Sequence, residues 1–178
     1  MTNYKPNATA ASLLGFLHER PMSGWDLVST AQQRIGDFWS LTPSQVYREL
    51  ATMAKARLIE AGPRGQRERQ PYMLTDAGRE AFHHWVMQDP GKETIRFPLL
   101  LTVLFGDHLP PERLASYLAE HRILHMERLT AYEQEYAQLP KDDLERHRFS
   151  LATLEFGIAY ERAVLDWFDH LPKMTHGE

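Results

Sequence analysis

The chain has 178 residues, with 20 Lys+Arg against 24 Asp+Glu and a formal net charge of −4, which excludes a polycation that coats nucleic acid by charge alone. Hydrophobic residues at 43% and charged residues at 25% describe a folded chain rather than a disordered one. The absence of cysteine removes disulfides, thiolate metal sites and cysteine nucleophiles, and leaves a reducing, cytoplasmic setting as the expectation.

The first helix is expected on the stripe Ala10, Leu13, Leu14 and Leu17, stopped by Pro21. Its polar Thr9 and Ser12 and the absence of a small-residue cleavage site argue against a signal sequence. Ser23 is placed to cap a second helix carrying Leu27, Val28, Ala31 and Ile35, ended by Gly36. Three signals then agree on the start of a third helix: Thr42 as N-cap, Pro43 at the first helical position and Gln45 completing a capping box. Two β-prone runs, Leu58 to Ala61 and Tyr72 to Leu74, flank a loop rich in Gly, Pro and Arg and predict a hairpin. Thr75 is placed to cap a fourth helix through Ala81, Phe82, Trp85 and Val86. Three helices, a hairpin and a helix are the chain order of a winged helix-turn-helix domain.

Pro90-Gly91 is the strongest break in the chain and divides it into a DNA-binding domain over 1–88 and a helical domain over 93–173. Residues 1–88 hold ten Lys+Arg against eight Asp+Glu, net +2, and residues 89–178 hold ten against sixteen, net −6. The second half is expected to be almost wholly helical: a short apolar helix from Phe97 to Phe105, a long one from Glu112 to about Leu139, and another from Lys141 to Leu171, with Asp142-Asp143 at its start. Long helices joined by a short turn pack antiparallel. The last helix carries two apolar stripes, one through Leu151, Leu154, Ile158, Leu165 and Phe168 and one through Phe149, Phe156, Ala163 and Trp167. A helix apolar on two faces needs two partners, so a homodimer is expected, with Leu118, Leu129, Tyr132, Leu151, Ile158, Leu165, Trp167 and Phe168 as candidate dimerisation residues. The fold class expected is mainly α, a winged domain with a small hairpin followed by an antiparallel dimerisation domain of long helices.

On the third helix, steps of about 100° per residue put Val46, Leu50, Met53 and Arg57 on one side and Ser44, Arg48, Ala51 and Lys55 on the other. A face of short polar and basic side chains suits a major groove, where Arg can read guanine, Gln45 can read adenine, and hydroxyls and N-terminal amides can meet phosphate. Over residues 42–72 six basic residues stand against three acidic ones, and Arg64, Arg67 and Arg69, with Gln66, fall in the hairpin loop. The candidate DNA-binding residues are Thr42, Ser44, Gln45, Tyr47, Arg48, Lys55, Arg64, Gln66, Arg67 and Arg69.

Three runs resemble the PadR family of bacterial transcription regulators: Ser23-Gly24-Trp25-Asp26-Leu27, Gln45-Val46-Tyr47-Arg48-Glu49-Leu50, and Tyr72-Met73-Leu74-Thr75-Asp76-Ala77-Gly78-Arg79. The ending Glu155-Phe156-Gly157-Ile158-Ala159-Tyr160-Glu161-Arg162, followed by Trp167, is similar to the larger-domain branch that holds virulence activators. The resemblance implies a homodimer on a palindromic operator of double-stranded DNA, with repression the commoner outcome. It also implies a small aromatic effector, for which Trp39, Trp85 and Phe97 are the candidate residues.

Other readings have less support. His121 and His125 have the i, i+4 spacing of two metal ligands, but the spacing fixes no third ligand and both lie on the helix-packing stripe, so no metal or other cofactor is expected. No glycine-rich phosphate loop and no nucleophile elbow occurs, so no enzyme is expected. A dimerisation scaffold without DNA binding leaves the polar face of the third helix and the arginine-rich loop unexplained. The longest apolar run is far short of the roughly 20 residues of a membrane span, so no membrane partner is expected.

Overall fold

The computed structural model describes residues 4–36, 38–63, 70–93, 95–139 and 144–175. The chain forms two compact units, Met1–Glu93 and Thr94–Glu178.

In the first unit, helix α1 (Ala8–Leu17) starts at Asn7, whose side-chain oxygen accepts the Ala10 amide at 2.8 Å. Its sequence, ATAASLLGFL, is apolar nearly all round, and a helix of that kind belongs in the middle of a unit. Ala10, Ala11, Leu13 and Leu14 are completely buried, and α1 packs on α2 (Gly24–Ile35), α3 (Pro43–Lys55), α4 (Asp76–Val86) and strand β3 (Pro71–Leu74). The core closes with Leu27 and Ala31 from α2, Val46, Leu50 and Met53 from α3, and Leu58 and Ile59 beyond it.

The expected caps are present. Ser23 and Asp26 form a capping box at the start of α2, Thr42 and Gln45 form another at α3 with Pro43 in the first turn, and Thr75 caps α4. The hairpin pairs strand β2 (Ile59–Ala61) with β3 in antiparallel register, Ile59 opposite Leu74 and Ala61 opposite Tyr72. A third strand was not foreseen. Met22 and Ser23 form a two-residue β1 opposite Tyr72 and Pro71, giving the sheet order β1-β3-β2. Two residues carry no alternation to read, and their partner lies about fifty positions away.

Arg57 departs from its expected place on the core face of the third helix. α3 ends at Lys55, and Arg57 is exposed with φ +61°, a left-handed turn that aims the chain into β2.

In the second unit, α5 (Pro98–Leu104) and a short 3-10 turn lead to α6 (Pro111–Gln138) and α7 (Leu144–Thr175). Asp142-Asp143, read as the cap of the last helix, lies outside the described residues. Arg122 meets Asp169, Glu133 meets Arg162 and Tyr136 meets Glu155. Partners on α7 fall in number as those on α6 rise, so the two helices are antiparallel. Their core joins Leu99 of α5 to Val164, Phe168 and Leu171 of α7.

Candidate nucleic-acid interface

α3 presents two unlike faces. Val46, Leu50 and Met53 are fully buried, whereas Thr42, Ser44, Tyr47, Arg48, Ala51, Thr52 and Lys55 are exposed. The exposed face is short and polar at its centre and carries cations at Arg48 and Lys55, so it can approach a groove without bulk in the way.

Gln45 is half-buried, and its side-chain oxygen accepts from the Thr42 amide at 2.8 Å and the Thr42 hydroxyl at 3.0 Å. A bidentate contact to adenine needs that same oxygen, so the reading role and the capping role compete for one atom. Ser44 and Arg48 are not drawn into the cap. The Arg48 carbonyl accepts the Thr52 hydroxyl at 2.9 Å, which turns that hydroxyl toward its own helix.

The position of α3 is held from three sides. Glu49, only 8% exposed, accepts from the Tyr4 hydroxyl at 3.0 Å and the Asn7 side-chain amide at 3.1 Å. The phenol of Tyr4 is pushed up to about 12, first by burial and then by its hydrogen bond to and the charge of Glu49. At the other end, Thr75 Oγ1 accepts the Gly78 amide at 3.0 Å and donates toward the carbonyls of Arg57 and Leu58, at 2.8 and 2.9 Å. That hydroxyl ties the exit of α3 to the start of α4. Gly78 completes the junction: a Cβ there would stand 2.1 Å from the Leu58 carbonyl oxygen, which explains the Leu-Thr-x-x-Gly spacing physically. On the third side, the ring of Tyr47 lies over Gly24 at the start of α2.

The roles of Glu49 and Gly24 were not read from the sequence. The signal available for Glu49 was an acid on the core flank of an amphipathic helix; for Gly24 it was a poor helix former in a first turn.

Of the hairpin, the base is described: the Gly62 amide donates to Pro71 O at 2.8 Å and the Gln70 side-chain amide donates to Gly62 O at 3.3 Å. Arg64, Gln66, Arg67 and Arg69 lie outside the described residues.

The effector candidates fall in both units. Trp39 is exposed, Trp85 is half-buried on α4, and Phe97 packs edge-on against His125 at 5.9 Å between ring centres. His125 is buried and shares a hydrogen bond through Nδ1 with buried Glu161, while His121 is half-buried. No group of three potential metal-ligating His, Asp or Glu side chains occurs among the described residues.

The dimerisation candidates differ in how far a single chain covers them. Ile158 and Phe168 are buried within a single chain, and Leu118, Leu165 and Trp167 pack against the same core. Tyr132 lies over Gly157, its ring 3.0 Å from where a Cβ would be, and Leu129 and Leu151 are half-buried. Among the apolar side chains of α6 and α7 left in solvent are Phe149 at 75%, Phe156 at 67%, Ile123, Leu124 and Met126. A stripe's period shows that it faces something, not what it faces.

A helical core, a short three-stranded sheet and a capped helix with an exposed polar face define a winged helix-turn-helix protein. Residues 13–84 match the model of the transcriptional regulator PadR-like family, and residues 95–174 match that of the virulence activator α C-terminal domain. The chain thus joins a domain of the transcriptional regulator PadR-like family to a virulence activator α C-terminal domain.

The negative transcriptional regulator PadR of Bacillus subtilis is 26% identical over 132 residues, 72% of each chain. Its structure with operator DNA superposes with a TM-score of 0.75 at 22% identity, over 94% of this chain and 99% of that one. Its structure with p-coumaric acid gives 0.70 at 22%, over 94% and 98%. The Vibrio cholerae virulence activator AphA gives 0.71 at 24%, over 94% and 100%. At these identities the superpositions establish the fold. No helix among the described residues is long and apolar enough to cross a membrane.

Proposed function

We propose that this chain is a cytoplasmic, homodimeric repressor that binds a palindromic operator and works as a regulator rather than an enzyme. The observation that carries the reading is the outer face of α3, where Ser44, Tyr47, Arg48 and Lys55 are exposed around small Ala51 on a helix anchored by Glu49 and Thr75. Arg48 is assigned to base edges, Ser44 and Tyr47 to phosphate, and Arg64, Arg67 and Arg69 to flanking DNA. Lys55 adds backbone charge, and Thr42 contributes through the cap it builds.

The two domains are assigned to 1–88 for DNA and 93–173 for dimerisation. The exposed apolar residues of α6 and α7 supply the pairing surface, since large apolar side chains left in water mark a missing partner. A two-fold dimer sets its half-sites about 34 Å apart, or a multiple of that. Repression is favoured by the relative named a negative regulator, and a small aromatic acid is the effector class favoured by that relative's structure with p-coumaric acid. Its candidate aromatic contacts are Trp39 and Trp85 within the first unit and, separately, Phe97 within the second.

The test is selection of bound fragments from the source genome, followed by titration of the recovered site at several salt concentrations. A recurrent palindrome and an affinity that falls linearly in log–log form with salt are expected. Arg48→Ala should relax preference at one base position at a cost of about 1–3 kcal/mol, and Arg67→Ala should weaken all sequences alike. Absence of binding at low salt, or binding blind to sequence, overturns the reading.

A further inference from the structure

Gly24 occupies the first turn of α2, where glycine is the poorest residue short of proline. It does not serve backbone conformation, because the one glycine with positive φ among the described residues is Gly91. What it provides is room. A Cβ at Gly24 would stand 2.4 Å from Cε1, 3.0 Å from Cζ and 3.2 Å from Cδ1 of Tyr47, far inside van der Waals contact.

Gly24 itself is held in place. Ser23 beside it accepts the Asp26 amide at 3.2 Å and donates its own amide to Asp26 at 3.0 Å, and pairs with Pro71 of the hairpin strand β3. Leu27, one turn on, is fully buried. Tyr47, by contrast, is 51% exposed and has space into which its ring can swing. Of the two partners in this contact, the ring is the one that yields.

We propose that Gly24 is a positioning residue for DNA recognition, a bare seat that holds the Tyr47 ring in one orientation on the outer face of α3. Because β1 and the Ser23 cap fix the seat to the hairpin, the tyrosine is aimed by the same strand that supports the wing. The ordering of its side chain is completed before DNA arrives, which lowers the entropy lost on binding. The inference rests on the DNA-binding role assigned to α3.

The test is a double-mutant cycle in the full chain with Gly24→Ala, Tyr47→Ala and the pair, reading operator affinity, the urea midpoint and the ring-proton shifts of Tyr47 in the free protein. Gly24→Ala is expected to shift the Tyr47 resonances, to weaken operator binding about tenfold, and to leave the helical content intact. In the Tyr47→Ala background the same substitution should cost no affinity and should raise the urea midpoint, because alanine then gains helix propensity with nothing to displace. An equal loss of affinity in both backgrounds, or unchanged affinity with a displaced ring, overturns the proposal. If the wild-type chain binds no operator, the proposed function fails, while the resonance shift and the stability coupling still report on the seat. The double variant, free of the clash, keeps the test readable if Gly24→Ala alone does not fold.

Discussion

The two halves of the molecule close their cores differently. The first wraps three helices and a sheet around α1, so that Leu13, Leu14, Leu27, Leu50 and Met53 reach full burial, and its buried acid Glu49 has two hydrogen-bond donors. The second lays two helices of 28 and 32 residues side by side with one short helix at their end, and leaves Phe149 and Phe156 in water. A pair of rods has one mutual seam, so a second apolar stripe has nowhere to go inside one chain. The first half leaves the polar outer face of α3 exposed, and the second leaves an apolar stripe of its long helices exposed.

The contrast is broken most directly at the tightest junction. Gly78→Ala drives a methyl group against the Leu58 carbonyl, and overpacking against backbone should cost about 3 kcal/mol, read as a lowered urea midpoint of the first unit with α6 and α7 spared. In the second unit, Glu161→Ala strips buried His125 of its partner and should cost about 2 kcal/mol, measured by thermal unfolding of the long helices. Phe156→Ala should leave the unfolding of the dissociated chain at low concentration unchanged yet weaken self-association about tenfold, or about 1.4 kcal/mol, by sedimentation. An unaltered association constant would move the pairing surface to another face.

The smallest effect belongs to Tyr4. Its folded pKa of about 12 lies above the ordinary 10.0, so the stability from its bond to Glu49 is whole below pH 10 and is lost as pH rises through 12. Tyr4→Phe should flatten the urea midpoint across that alkaline window relative to wild type. A parallel decline in both proteins would remove Tyr4 as the cause.

Much of the first unit was legible because its punctuation is local. As caps, Ser23, Thr42 and Thr75 act within three residues of themselves, and Pro43 presets its own φ, so the starts of α2, α3 and α4 follow from neighbours in the chain. The unlike faces of α3 followed from its period, except at Arg57, where the helix had already ended.

What sequence alone determined was therefore the helices and the hairpin, the caps of α2, α3 and α4, and the face of α3 turned outward. Tertiary structure decided the rest. Strand β1 exists through its pairing with Pro71 and Tyr72, Gly24 acquires its role from a ring on another helix, and Glu49 is an anchor through Tyr4 and Asn7 more than forty residues away. Ile158 and Phe168 turned inward while Phe149 and Phe156 stayed exposed, because periodicity marks apolar faces and only packing assigns each face its partner.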